Sequence, residues 1–157
     1  MLKKIKWILL GLASVIIIVI TFLVTLVRYA DEEVDALNFY RLSIEAMPEV
    51  VSVEEIHRFN GLDTYIVANV RHENGQNIYF FVQDGAVVHY FFATQLIEQE
   101  EAISVTDQLF REGELFHIQL GVIGEIPIYE VQIKDDGEVH YVVIDAQTGN
   151  VLMNFIG

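Results

Sequence analysis

Cysteine is absent from this chain of 157 residues, and proline occurs only twice. Without cysteine the chain has no disulfide bonds, no thiol nucleophile and no lipidated cysteine anchor. The scarcity of proline, together with an aromatic content of 11%, argues against a disordered stalk. The sequence therefore indicates an ordered domain that depends on its apolar core for stability.

Basic residues are scarce beyond residue 28. Residues 29–157 contain all 23 carboxylates but only five basic side chains, which are Arg41, Arg58, Arg71, Arg111 and Lys134. The net charge of this stretch, five minus 23, is −18. A surface this acidic repels phosphate backbones, so nucleic acid is excluded as a partner.

Charged residues are also missing from the 21-residue run 7–27. As a helix this run extends roughly 30 Å, the thickness of a bilayer core, and predicts a transmembrane anchor. The residues that define the anchor and its orientation are Lys3, Lys4, Lys6, Trp7, Val27 and Arg28. Because three lysines precede the run, residues 1–6 are predicted to be cytoplasmic and the C-terminal domain extracytoplasmic. We expect a single-pass protein of the cell membrane, with a cleaved signal peptide and a buried helix as the alternatives.

The hydrophobic period of residues 31–157 changes from helical to strand-like twice. Helices are predicted over 31–47 and 98–112. Asn-Gly, Asp-Gly and other glycine turns bound the predicted strands, which cover 53–59, 63–72, 76–83, 86–93, 115–121, 126–134, 138–145 and 150–156. This order predicts an α+β fold in which each helix packs on a small antiparallel sheet.

The two halves of this pattern align at an offset of 64 residues. The matching pairs are Tyr65 with Tyr129, Val67 with Val131, Val87 with Val151, and Phe91 with Phe155. We therefore predict a duplication, with a first copy over 31–95 and a second copy over 97–157.

The second copy resembles a PepSY domain in three motifs. They are the acidic helix start at 97–103 (IEQEEAI), the strand at 128–131 (IYEV) and the D-x-x-T-G turn at 145–149 (DAQTG). Glu98 departs from the family, which has serine or threonine as the helix cap at this place. The resemblance implies two tandem PepSY/cystatin-like repeats, of which the first is degenerate.

With the predicted anchor, the full chain is similar to the TseB-like (YpmB-type) membrane-anchored PepSY-domain proteins of Gram-positive bacteria. This resemblance implies a regulator of cell-wall elongation that associates with a membrane-bound class B penicillin-binding protein. PepSY domains also accompany secreted metallopeptidases. An inhibitor or modulator of an extracytoplasmic peptidase is therefore the alternative function.

Sequence motifs of catalysis are missing: there is no G-x-S-x-G, no P-loop, no G-x-G-x-x-G and no H-E-x-x-H. The histidines are scattered over predicted strands or strand ends, without metal-ligand spacing, at His57, His72, His89, His117 and His140. Carboxylate pairs such as 135–136 are typical of hairpin turns. We expect no enzyme activity, no cofactor, no metal and no small-molecule substrate.

Two aromatic runs, YFF at 79–81 and YFF at 90–92, place neighbouring rings on opposite faces of a sheet. One face belongs to the core, and the other is a contact patch unless the second copy covers it. The candidate interaction residues are Tyr79, Phe81, Tyr90 and Phe92.

Overall fold

The computed structural model describes the backbone of residues 2–157 and the side chains of residues 15–26, 28 and 33–157. The chain divides into two units, Met1–Phe39 and Tyr40–Gly157. The helices are α1 (Leu2–Glu45), a one-turn 3-10 helix (Ala93–Gln95) and α2 (Gln99–Leu109). The strands are β1 (Val50–Asn60), β2 (Thr64–His72), β3 (Asn77–Gln83), β4 (Ala86–Phe92), β5 (Glu114–Ile123), β6 (Ile126–Asp135), β7 (Glu138–Asp145) and β8 (Val151–Ile156).

The predicted transmembrane anchor requires correction. Over the part of the chain that the structure describes, no helix has both the length and the apolarity that crossing a bilayer demands. The structure therefore supports neither the transmembrane helix of the predicted fold class nor a single-pass membrane localisation. The side chains of Lys3, Lys4, Lys6, Trp7 and Val27 lie outside the described residues, and Arg28 is exposed.

The first sheet-plus-helix repeat matches the prediction only in part. A separate helix was expected over 31–47, but α1 is continuous from Leu2 to Glu45. The second unit receives only residues 40–45 of this helix. There Ile44 is buried, the Arg41 guanidinium donates to the Val53 carbonyl, and the Glu45 carboxylate accepts the Val53 N–H at 3.4 Å. The first sheet is thus covered by the end of a long helix and not by a helix of its own.

The two sheets are four-stranded antiparallel meanders in the orders β1-β2-β3-β4 and β5-β6-β7-β8. Two of their two-residue hairpins lie at the predicted Asp-Gly pairs. At both turns the Asp and the Gly have positive φ, 51° and 81° at Asp84-Gly85 and 47° and 86° at Asp136-Gly137. Two consecutive residues with positive φ match the right-handed twist of the flanking strands, which explains why this dipeptide closes these hairpins.

Helix α2 is joined to the second sheet through the D-x-x-T-G turn. The Asp145 carboxylate accepts the backbone N–H groups of Gln147 and Thr148 at 2.8 and 3.1 Å, and Gly149 has a φ of 74°. This turn presents the Ala146 carbonyl to the Ile97 N–H at 2.7 Å, just before the helix. Glu98 occupies the cap position without a side-chain hydrogen bond, as expected of a residue that caps poorly. The motif therefore fixes where α2 begins.

One apolar core links the two sheets and α2. Phe59, Tyr65, Val67 and Phe81 of the first sheet lie in the same cluster as Ala102 of α2 and the buried residues of β5–β7. A polar contact accompanies this packing, since the His57 ring Nε2 lies 2.9 Å from the Leu120 carbonyl oxygen. The two sheets therefore share a core.

The buried Tyr129 side chain makes the stability of the fold depend on pH. Its hydroxyl donates to the Ile97 carbonyl at 3.1 Å, and burial, followed by the nearby Tyr79 and Glu98, raises its pKa well above 10. Above pH 10 the unfolded chain loses this proton while the folded chain retains it, so the free energy of unfolding falls as the pH rises.

We expect Tyr129→Phe to make this decline shallower between pH 10 and 11.5. Urea unfolding at pH 8, 10 and 11.5 measures the effect. Below pH 9 the variant should be about 1 kcal/mol less stable than the wild type, because the hydrogen bond to Ile97 is lost. Some decline should persist, because burial and nearby Glu55 and Glu98 also raise the pKa of Tyr79. Identical pH slopes in the two proteins would contradict the assignment.

Candidate interaction surface

The first sheet has one face in the core and one face that is only partly covered. Strand register places Phe80 opposite Tyr90 and Ile78 opposite Phe92, so these four side chains share the second face. Residues 40–47 cover part of this face, where Ile44 is buried and Met47 half-buried. The remaining part, towards β4, is open to solvent.

The open part contains an apolar groove of about 290 Å³. Its lining consists of Met47, Pro48, Val50, His72, Ile78, Phe80, Val87 and Tyr90. Tyr90 is 62% exposed at the rim, and its ring meets that of Phe92 edge to face with the ring centroids 6.1 Å apart. The groove thus combines an apolar floor with an exposed aromatic ring, the residue type that is enriched in protein interfaces.

Part of the groove lining is contributed by the turn between α1 and β1. Glu49 adopts a φ of 67°, in the left-handed region that non-glycine residues rarely occupy. Its carbonyl accepts the Glu73 N–H at 2.9 Å, and its carboxylate lies 3.0 Å from His72 Nε2. These contacts hold the turn against the β2–β3 hairpin and place Met47 and Pro48 at the groove.

The structure divides the four candidate residues between the two faces. Phe81 is completely buried and meets the Phe91 ring edge to face at 5.7 Å, while Tyr79 is half-buried against the same core. Tyr90 and Phe92 lie on the opposite face, beside the groove. The structure brings these last two together and separates them from the first two.

Sequence reasoning missed the floor of the groove. Phe80 lies between two candidates in the chain but has the opposite orientation from both, as the alternation of a strand requires. The YFF run showed that neighbouring side chains point to opposite faces of the sheet. It did not show which of the two faces is buried. Met47 and Pro48 were interpreted only as the end of a helix, since their position against β3 and β4 depends on tertiary packing.

The histidines are dispersed in the structure. His89 packs near Tyr65 and His140 near Phe110, with ring centroids 6.2 and 4.6 Å apart, whereas His117 is exposed. Among the side chains that the structure describes, no group of three or more His, Asp or Glu residues has the proximity that metal binding requires. The groove is therefore the strongest candidate for a functional site.

Comparison with known proteins gives a family match and similarities of fold. Residues 96–152 match the model for PepSY, described as "Peptidase propeptide and YPEB domain". The structure is similar to that of the YpmB protein from Bacillus subtilis, with a TM-score of 0.63 and 20% identity, covering 72% of this chain and 91% of that chain. A putative lipoprotein from Clostridium difficile has a TM-score of 0.43 and 11% identity, covering 79% and 91% of the two chains. No curated protein sequence matches the chain.

These comparisons confirm the PepSY resemblance of the second copy and a fold of the YpmB type. PepSY domains are generally non-catalytic modules, which is consistent with a binding or peptidase-regulating role. The role in cell-wall elongation stays a prediction.

Proposed function

We propose that this chain is a non-catalytic protein-binding module whose groove on the first sheet receives an apolar segment of a partner protein. The observation that carries the proposal is the exposure of Tyr90 beside an apolar groove on an otherwise strongly acidic domain. The groove of about 290 Å³ lies at the lower bound of the volumes of small-molecule sites, roughly 300–1,000 Å³. It therefore suits side chains of a protein better than a whole ligand.

The partner that we propose is a class B penicillin-binding protein, and the proposed role is regulation of cell-wall elongation. The support for this partner is the resemblance to TseB-like (YpmB-type) proteins, together with the PepSY match and the fold similarity to YpmB. A regulator of this kind acts through an interaction surface and requires no catalytic residues. The groove provides such a surface.

The Tyr90→Ala variant tests the groove. Truncation of an aromatic hot-spot residue typically weakens binding by about 2 kcal/mol, which is about 30-fold in Kd. We expect this loss when the purified full-length chain is titrated against a purified class B penicillin-binding protein of the same organism. Biolayer interferometry measures it.

The control is Phe116→Ala, which removes a 70% exposed aromatic ring from β5, outside the groove. This variant should bind as the wild type does. Equal Kd values for the two variants would contradict the role of the groove, and absence of binding by the wild type would remove this partner.

A second candidate function is supported by the family description, which names peptidase propeptides. In that case the chain inhibits or modulates an extracytoplasmic peptidase. Inhibition of cell-surface metallopeptidases by the wild type, weakened in Tyr90→Ala, would favour this alternative over the penicillin-binding protein.

A further inference from the structure

The outer strand of the second sheet, β8, is exposed along its whole length. All six of its residues are exposed, and five of them are large apolar residues that are 40–57% accessible: Val151, Leu152, Met153, Phe155 and Ile156. β8 ends the order β5-β6-β7-β8, and within residues 2–157 no strand pairs with its outer edge. An apolar strand with an open edge is a template for another strand.

The hydrogen-bonding groups of β8 that point to solvent can be assigned from its register. The Gly157 N–H donates to the Val139 carbonyl at 3.0 Å, and pairing with β7 is regular from Met153 to Ile156. Because bonding alternates along an antiparallel pair, Met153 and Phe155 bond to β7, and Asn154 and Ile156 direct their N–H and C=O groups outward. An extended chain placed along this edge finds donors and acceptors at the spacing of a strand.

The usual protection of a sheet edge is missing from β8. Natural edges carry lysine, proline or inward-pointing charges that prevent pairing with other chains. Residues 146–157 contain no charged residue and no proline. By contrast, the edge strand β1 contains Glu54, Glu55 and Arg58. Of the four edge strands, β4 and β8 lack Asp, Glu, Lys and Arg, and β8 is the one that is exposed along its whole length.

The charges around β8 determine which kind of chain can pair with its open edge. Residues 40–157 hold five basic side chains against 19 carboxylates, a net charge of −14, so a second copy of the chain is repelled. Acidic residues lie near both ends of the strand. Glu101 lies close to Gly149, with its Oε1 3.7 Å from the position of a β-carbon there, and Glu138 adjoins Val139, the partner of Gly157. The lysine of this sheet, Lys134, lies two strands away.

We propose that β8 binds an extended segment of a partner protein as a fifth strand, and that this segment carries lysine or arginine at both ends of an alternating apolar stretch. Backbone hydrogen bonds to the outward groups of Asn154 and Ile156 hold the segment, and the flanking carboxylates select its charge. The inference rests on the proposed function, because it adds a second contact to the same binding module.

A synthetic peptide tests the edge directly. The probe is a labelled nine-residue peptide of alternating valine and threonine with two lysines at each end, and a version with glutamates replacing the lysines is the charge control. Fluorescence anisotropy with the full-length chain should give saturable binding of the lysine peptide and at least about tenfold weaker binding of the glutamate peptide. Higher salt should weaken the first interaction.

Two variants separate the edge from general effects on folding. Asn154→Pro removes an outward N–H and leaves the bonds to β7, and Ile156→Lys places a charge on the edge. Each should reduce binding of the lysine peptide at least about tenfold. The matched control is Leu62→Lys, which introduces the same charge at an 85% exposed residue of the β1–β2 turn and should bind as the wild type does. Thermal unfolding verifies that all three variants are folded.

Unchanged peptide binding in both edge variants overturns the inference. A dimer of the wild type that Asn154→Pro abolishes overturns it as well, since the occupant is then a second copy. Failure of this inference can be distinguished from failure of the proposed function. Loss of partner binding in Tyr90→Ala but not in Ile156→Lys overturns only the contact through β8, and the reverse pattern overturns only the groove.

Discussion

Replacement of Phe81 by alanine should lower the free energy of unfolding by about 3–5 kcal/mol, the usual range for a completely buried phenylalanine. Phe81 has no solvent exposure, pairs with Val67 across the sheet and meets the Phe91 ring edge to face. Its removal leaves a cavity in the cluster that joins the first sheet to the second. Because both sheets share this core, the loss should affect the whole second unit at once.

Urea unfolding followed by circular dichroism measures this loss. Phe116→Ala is the matched control, since it removes the same side chain at a 70% exposed position and should change the stability by no more than about 0.5 kcal/mol. A single transition shifted to lower urea in Phe81→Ala is the expected result. Two separate transitions in the variant would contradict a shared core, and a loss below about 1 kcal/mol would contradict complete burial.

The hairpins of both sheets were predictable because their signals are local. Asp84-Gly85 and Asp136-Gly137 require positive φ at two consecutive residues, and few dipeptides tolerate that conformation. The D-x-x-T-G turn was likewise recognisable, since Asp145 satisfies two backbone N–H groups within three residues. These turns depend only on residues that are neighbours in the sequence, so the sequence alone predicts them.

The faces of the sheets were not predictable from the same sequence. In the YFF runs every position is aromatic, so a period of two separates the faces without indicating which one is buried. Phe81 belongs to the core because Val67 and the second sheet lie on its side. Tyr90 borders the groove because residues 40–47 cover the other face only in part. Both facts depend on contacts between segments that are distant in the chain.

The first helix shows how a local signal misleads. A helix was predicted to begin at residue 31, because the carboxylates of Asp31, Glu32 and Glu33 stabilise the N-terminal end of a helix. Carboxylates alone do not interrupt a helix, however, and residues 28–45 contain neither glycine nor proline. The backbone therefore continues through this region as one helix to Glu45.

The predicted strand over 115–121 ended at Gly121, whereas β5 continues to Ile123 and Gly121 is a buried residue within it. The turn lies further along, where Gly124 has a φ of 62°. A β-carbon at Gly121 would lie only 2.3–2.5 Å from three ring atoms of Phe59. The ring of Phe59 also lies over Gly61, where a β-carbon would be 2.6 Å from it. Glycine in this strand therefore permits the close approach of an aromatic ring from the other sheet.

Gly121→Ala should consequently lower the free energy of unfolding by about 3 kcal/mol, at the upper end of the range for overpacking, since the Phe59 ring is almost fully buried and has no space to move into. A double-mutant cycle with Phe59→Leu identifies the cause, because the smaller side chain relieves the clash. We expect the double variant to be more stable than the sum of the two single losses implies, by at least about 1 kcal/mol. Additive losses would mean that the two sheets do not meet through this ring, and that the shared core depends on Tyr65, Val67 and Phe81 instead.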